Sequence, residues 1–192
     1  MKKKILSLTL ITIIVSIIFS LGFATRVEAT VSYGFGIGNR SLKVYAASNF
    51  NSNEISQLKQ AIDAWNSTRF GTFFVYGGTV PYWTIPDYNV SDGLTTVSKY
   101  PLNGLTTGGT MTLGIEGVSI TEANILINSK LSYNYGSPTS GDYYLKSVLM
   151  HELGHAVGLA DNYDHTESIM YYSYTGSTNI SNYDLADLET LY

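Results

Sequence analysis

Five consecutive residues, His151-Glu152-Leu153-Gly154-His155, constrain this chain more than any other stretch. Leu145, Val148, Leu149, Leu153 and Ala156 recur around them at helical spacing, which predicts a helix over about 142–159. Residues four apart on a helix share a face, so the two imidazoles converge on one point. Zinc suits nitrogen donors, and a catalytic zinc site keeps three protein ligands and leaves one position open for water. Glu152 stands beside the pair, in place to take a proton from that water. Gly158 sits where a helix C-cap belongs. A glycine there lets the chain turn back without a Cβ penalty and return a third ligand. Two residues compete for that position. Asp161 offers a carboxylate, a normal zinc donor, and His165 offers the commoner imidazole.

The rest of the composition narrows the chemistry. The 192 residues contain three histidines and no cysteine. Zero cysteine excludes a disulfide framework, a thiolate zinc finger, an iron–sulfur cluster and a cysteine nucleophile. The formal net charge is −4, against the basic footprint that nucleic-acid binding needs. Charged residues make up 14% while sixteen tyrosines supply most of the aromatic content. That combination indicates a folded, hydroxyl-rich surface rather than disorder.

The chain opens on an address. Lys2, Lys3 and Lys4 precede an apolar run over 5–24, and Val27-Glu28-Ala29 is a small-x-small cleavage pattern. These are the parts of a secretory signal peptide, expected over 1–29, with secretion as the consequence. The alternative is an uncleaved membrane anchor, since the run approaches the ~20 residues that span a bilayer. Cleavage after Ala29 leaves a domain over 30–192 with seven basic and 14 acidic residues, a net charge of −7. That length suffices for one core.

Strands are predicted over 42–46, 73–76 and 124–128, the last buried. The alternating 109–114 run, which includes Met111 and Leu113, reads as an exposed edge strand. Ile55, Leu58, Ile62 and Trp65 mark an amphipathic helix over about 54–67, capped by Asn51 or Ser52. The Gly-, Pro- and Thr-rich stretch 77–109 predicts loops with short strands, and 137–141 a turn. A last helix starts near Ser181 with Leu185, Leu188 and Leu191 as its stripe. Short strands with an early, a central and a terminal helix make a single α+β domain.

From His151 onward the sequence resembles the metzincin metalloproteases, whose extended motif is H-E-x-x-H-x-x-G-x-x-H or -D. His151, Glu152, His155 and Gly158 match, and Asp161 occupies the last position, as in the small bacterial snapalysin-like proteases. The resemblance is greatest to the matrixin branch. It is specific over about 145–192 and looser back to Leu42. It implies a zincin-like catalytic domain with a short mixed β-sheet, an early helix, a central active-site helix and a C-terminal helix. By the motif register Asp161 is the third ligand, with His165 as its rival. Ser168-Ile169-Met170 resembles the Met-turn that floors the metal site. Tyr174 matches the tyrosine that walls the S1′ pocket, which Leu159 and Tyr171 also flank. Tyr172 stands where other metzincins carry a tyrosine that stabilises the oxyanion. Asp184 either caps the last helix with Ser181 or, as in the family, holds the Met-turn. Strand 109–114, with Met111 and Leu113, resembles the edge along which substrate lies.

The resemblance implies a secreted zinc endopeptidase with Glu152 as general base and Zn2+ as cofactor. It is expected to act as a monomer on peptide or protein substrates, without nucleic acid and without stable membrane association once the leader is cleaved. Calcium is a common structural ion of the family, with no ligands assigned here. A histidine-held second zinc is not expected, because all three histidines lie within Met150–Thr166. The latency switch based on cysteine is excluded. The alternative reading is an exported protein- or carbohydrate-binding domain with a vestigial zinc site, and the intact Glu152 speaks against it.

Overall fold

The computed structural model describes residues 32–34, 36–38, 41–82, 92–103, 108–117, 119–136 and 143–192. The leader expected over 1–29 and the turn over 137–141 lie outside the described residues. In chain order the elements are β1 (Leu42–Ala47), α1 (Ser52–Asn66), β2 (Phe74–Val80), β3 (Thr95–Tyr100), β4 (Gly109–Glu116), β5 (Ser119–Asn128), β6 (Tyr133–Asn134), β7 (Tyr143–Tyr144), α2 (Leu145–Ala156) and α3 (Asn182–Glu189). This is the expected α+β domain.

The five long strands form one mixed sheet in the order β2-β1-β3-β5-β4. β1, β2, β3 and β5 run parallel, and β4 joins β5 antiparallel at the edge. The 109–114 expectation therefore holds: the strand is an edge, two residues longer than the sequence indicates. One strand of the Gly/Pro/Thr-rich stretch, β3, is the centre of the sheet. Its two buried threonine hydroxyls bond to the neighbouring strand β5. Thr96 Oγ1 donates to Asn124 Oδ1 at 2.8 Å, and Ala123 N donates to Thr95 Oγ1 at 3.1 Å.

Helix α1 begins at Asn51 with a full capping box. Asn51 accepts from Glu54 N, and Glu54 accepts from Asn51 N. It buries Leu58, Ala61, Ile62 and Trp65, the predicted face, with Ile55 at the margin. Trp65 lies against α2, and its indole N–H donates to Met150 O at 2.9 Å. This bond fixes the height of α2 on α1.

Helix α2 buries Leu145, Val148, Leu149, Leu153 and Ala156, as predicted. It is shorter than the predicted span. Tyr143 and Tyr144 are drawn into a two-residue strand with β6 at its start. At its end Val157 caps the helix and Gly158 takes φ +101°, the left-handed conformation that closes helices. In α3 only Leu188 of the predicted stripe is fully buried, while Leu185 and Leu191 pack at the margin of the core. Among the described residues no helix is long and apolar enough to cross a membrane.

Candidate metal centre and active-site cleft

Helix α2 places His151 and His155 side by side, ring centroids 4.7 Å apart and planes nearly perpendicular. A backbone carbonyl orients each ring. His151 Nδ1 donates to Ile169 O at 2.9 Å, and His155 Nδ1 donates to Leu159 O at 2.8 Å. With Nδ1 committed, each Nε2 keeps its lone pair for a metal. Both Nε2 atoms point at Asp161 Oδ1, 3.2 Å from His151 and 3.5 Å from His155. A tetrahedral zinc with bonds of ~2.0–2.1 Å separates its ligand atoms by about 3.3–3.4 Å. The three donors have the chemistry and the spacing of a zinc site, and all lie within 4.8 Å of one another.

At His155 and Asp161 the electrostatics agree with that geometry, while at His151 they favour a proton that a metal would displace. Burial, then the neighbouring His151, push His155 down to about 4, so it is a neutral donor at physiological pH. Burial raises Asp161, but the hydrogen bond from His151 and the two imidazoles outweigh it and hold the carboxylate below its ordinary range. Burial lowers His151, and Asp161, Glu152 and the Ile169 carbonyl carry it back above its ordinary value.

Helix packing also sets Glu152. The carboxylate is 5% exposed, enclosed between α2 and the start of β4. There it lies against the backbone of Gly109, where a Cβ would stand 2.6 Å from Glu152 Oε1. Burial raises Glu152 to about 7, with His151 opposing and Asp161 adding to the rise. A carboxyl group poised near neutrality is suited to move a proton in either direction.

Beneath the ligands Met170, 1% exposed, packs on Gly154 of α2. A Cβ at Gly154 would run into Met170 Sδ and come within 2.9 Å of Trp65 Cζ2. Asp184 performs both jobs that the sequence offered it. It completes the cap of α3 by accepting from Ser181 N at 2.7 Å, and it holds the Met170 turn by accepting from Ile169 N at 3.1 Å and from Ser168 Oγ. The Asp161 loop is laced to the same turn. Asn162 N donates to Met170 O at 2.7 Å, and Tyr172 N to Asn162 O at 2.9 Å.

His165 is elsewhere. Its imidazole stacks on Tyr183 of α3 with centroids 3.6 Å apart, and the backbone N–H of His165 donates to Asn162 Oδ1 at 2.9 Å. It does not belong to the cluster of three donors.

A cleft of about 840 Å³ runs past this centre. Its lining includes Gly109 and Met111 of the edge strand, Ser147 and Val148 of α2, and Tyr171, Tyr172 and Tyr174 beyond the Met170 turn. Tyr174 is fixed by its hydroxyl, which accepts from Tyr144 N at 2.5 Å, and its ring lies 4.6 Å from that of Tyr143. Tyr172 is 55% exposed at the rim, its ring stacked 5.0 Å from Tyr163. Leu113 packs on the core instead of lining the cleft, and Leu159 is fully buried. Tyr33, which the sequence did not mark as a site residue, also lines the cleft, and its hydroxyl stands 3.4 Å from His155 Nδ1. Burial, then the charges of Asp161 and Glu152, push its phenol up to about 12. Nothing local in the sequence marks it, because the contact spans 122 residues.

A mixed sheet edged by β4, a helix carrying His151, Glu152 and His155, and a returning Asp161 define a metzincin-like zinc metalloprotease. The family comparison is more specific. Residues 82–192, more than half of the chain, match the matrixin family model, and the chain belongs to the matrixin family of zinc metalloproteases. Among solved structures it is similar to high choriolytic enzyme 1, a hatching-enzyme zinc-protease of the medaka fish Oryzias latipes. That match has 14% identity and a TM-score of 0.41, and covers 88% of this chain and 98% of the other. Comparison with curated proteins finds no match.

Proposed function

We propose that the chain is an exported endopeptidase in which His151, His155 and Asp161 hold zinc and Glu152 is the general base. The observation that carries this reading is the convergence of three donors, His151, His155 and Asp161, beside the buried Glu152 carboxylate. When bound, zinc supplies Lewis acidity to the scissile carbonyl and to an attacking water. Glu152 takes the proton of the attacking water on a carboxylate oxygen and delivers it to the leaving amide nitrogen. Strand β4 orients the substrate. Its inner edge is bonded to β5, and its outer edge offers main-chain groups to an extended peptide. Tyr174 and Tyr143 wall the adjoining side-chain space. Export rests on Lys2–Lys4, the apolar run and the Val27-Glu28-Ala29 pattern.

The test is digestion of a broad peptide library with and without a chelator, joined to elemental analysis. Wild-type protein cleaves, and the chelator stops it. Glu152→Gln keeps its zinc and loses turnover; full activity in that variant overturns the base assignment. Asp161→Ala loses most of its zinc while His165→Ala retains it, and the opposite pattern moves the ligand to His165.

A further inference from the structure

Residues outside the matched 82–192 stretch converge on the turn that ends α2. Ser32 forms an antiparallel bridge with Leu159, and Tyr33 N donates to Gly158 O at 2.8 Å. Four residues on, Ile37 N donates to Tyr192 Oη at 2.8 Å, and the same hydroxyl donates to Val157 O at 3.0 Å. Gly36 O accepts from Ile120 N at 2.9 Å, which anchors the strap to β5. The strap also demands a glycine, since a Cβ at Gly36 would stand 2.5 Å from Tyr192 Oη. Three consecutive residues, Val157, Gly158 and Leu159, are thus gripped from one side.

That turn contains the acceptor for His155. Leu159 O takes the Nδ1 hydrogen at 2.8 Å, and Tyr33 Oη stands 3.4 Å from the same nitrogen. The Tyr33 ring lies 6.0 Å from the imidazole, tilted by 39°. The one Nδ1 hydrogen of the imidazole therefore goes to a carbonyl that the strap fixes, and the phenol that the strap carries stands beside it as a second, longer acceptor. From this geometry we infer that Tyr33 is a positioning residue for His155, and that the strap of 32–34 and 36–38 sets how tightly the centre holds its metal. This rests on the ligand set proposed above. The physical basis is that partners on the far nitrogen of a ligand imidazole fix its tautomer and direction, and losing one costs ~10–100-fold in metal affinity.

The test uses the full chain and reads metal affinity rather than turnover. Zinc affinity is measured by competition with a chromophoric chelator, and the cobalt-loaded protein supplies a ligand-field spectrum. Tyr33→Phe keeps the ring and removes the hydroxyl. It is expected to weaken zinc about tenfold and shift the cobalt bands while the Tm of the metal-free protein stays unchanged. Tyr33→Ala is expected to weaken zinc further. Wild-type affinity and spectrum in Tyr33→Phe overturn the positioning role, as does an affinity loss matched by an equal loss of metal-free stability. His151→Ala in parallel separates the two claims. If it abolishes zinc binding while Tyr33→Phe does not weaken it, only the role of Tyr33 fails. If His151→Ala binds zinc as wild type does, the ligand set fails and this inference with it.

Discussion

Gly109 is the position at which one methyl group should separate catalysis from stability. A Cβ there would lie 2.6 Å from Glu152 Oε1 and 2.9 Å from both Cδ and Cγ, where ordinary contact begins near 3.4 Å. Glu152 must then retreat by about 0.8 Å, the difference between contact and overlap, or the start of β4 must lift by a similar amount. Either response changes the distance between the carboxylate and the peptide bond along β4. A misplacement of ~1 Å at a reacting group costs about 100-fold in rate. Gly109→Ala should therefore lower kcat by about 10- to 100-fold, or ~1.4–2.7 kcal/mol of barrier.

The same substitution should leave the fold nearly untouched. The clash falls on the end of a flexible side chain, and replacing glycine in a strand recovers ~0.5–1 kcal/mol of backbone entropy. Overpacking of ~1–3 kcal/mol works against that gain, so net stability shifts by no more than about 2 kcal/mol. The three atoms nearest the new methyl all belong to Glu152 and none to His151, His155 or Asp161, so zinc content should not change. The assay is kcat on a quenched fluorescent peptide, with elemental zinc and Tm measured on the same preparation. Gly109→Ala in a Glu152→Gln background should then cost nothing more, because the methyl acts only through that carboxylate. Wild-type kcat in Gly109→Ala, or an undiminished effect in the double variant, refutes the reasoning.

Two further substitutions test the support of the site. Asp184 is 1% exposed and accepts from Ser181 N, Ile169 N and Ser168 Oγ. Asp184→Ala strands those donors and should cost about 3–5 kcal/mol in urea unfolding, and a loss below ~1 kcal/mol contradicts the network. Asp187 is raised from 3.8 to about 6, first by burial and then by Asp184, with His165 opposing. The folded state therefore binds the extra proton between about pH 4 and 6, and stability falls as pH rises through that window. Asp187→Asn should raise the Tm at pH 7.5 and leave it unchanged at pH 4; an equal gain at both pH values excludes this ionisation as the cause.

Local signals made most of the frame legible. Four apolar residues at helical spacing and the Asn51 or Ser52 cap signal specified α1, and alternation over 109–114 specified an edge strand. The histidine pair and Gly158 located the centre, because chemistry at fixed helical spacing needs no tertiary information. The central strand β3 was less legible. Its buried Thr95, Thr96 and Ser98 look like loop residues until their cross-strand neighbours are known. Tyr33 carried no signal, since its partner stands 122 residues away. The motif register put Asp161 ahead of His165, and the stacking of His165 on Tyr183, which spacing does not encode, supports that order.

The positions that motif reading leaves blank prove to be the most tightly specified by packing. The motif admits any residue at Leu153 and Gly154. Here Leu153 is fully buried in the core, and Gly154 has no room for a methyl under Met170 and Trp65. The imidazoles, in turn, are oriented by the carbonyls of Ile169 and Leu159, groups that every residue type carries. Sequence identity at this centre therefore records two different things. In the proposed mechanism His151, His155, Asp161 and Glu152 supply the donors and the base, whereas Gly109, Gly154 and Gly158 supply distances: how close β4 comes to Glu152, how close Met170 comes to α2, and how soon the chain turns back toward Asp161. A substitution in the first set changes what the site is made of. A substitution in the second keeps every functional atom and moves it, which is why metal content and turnover should part company at Gly109.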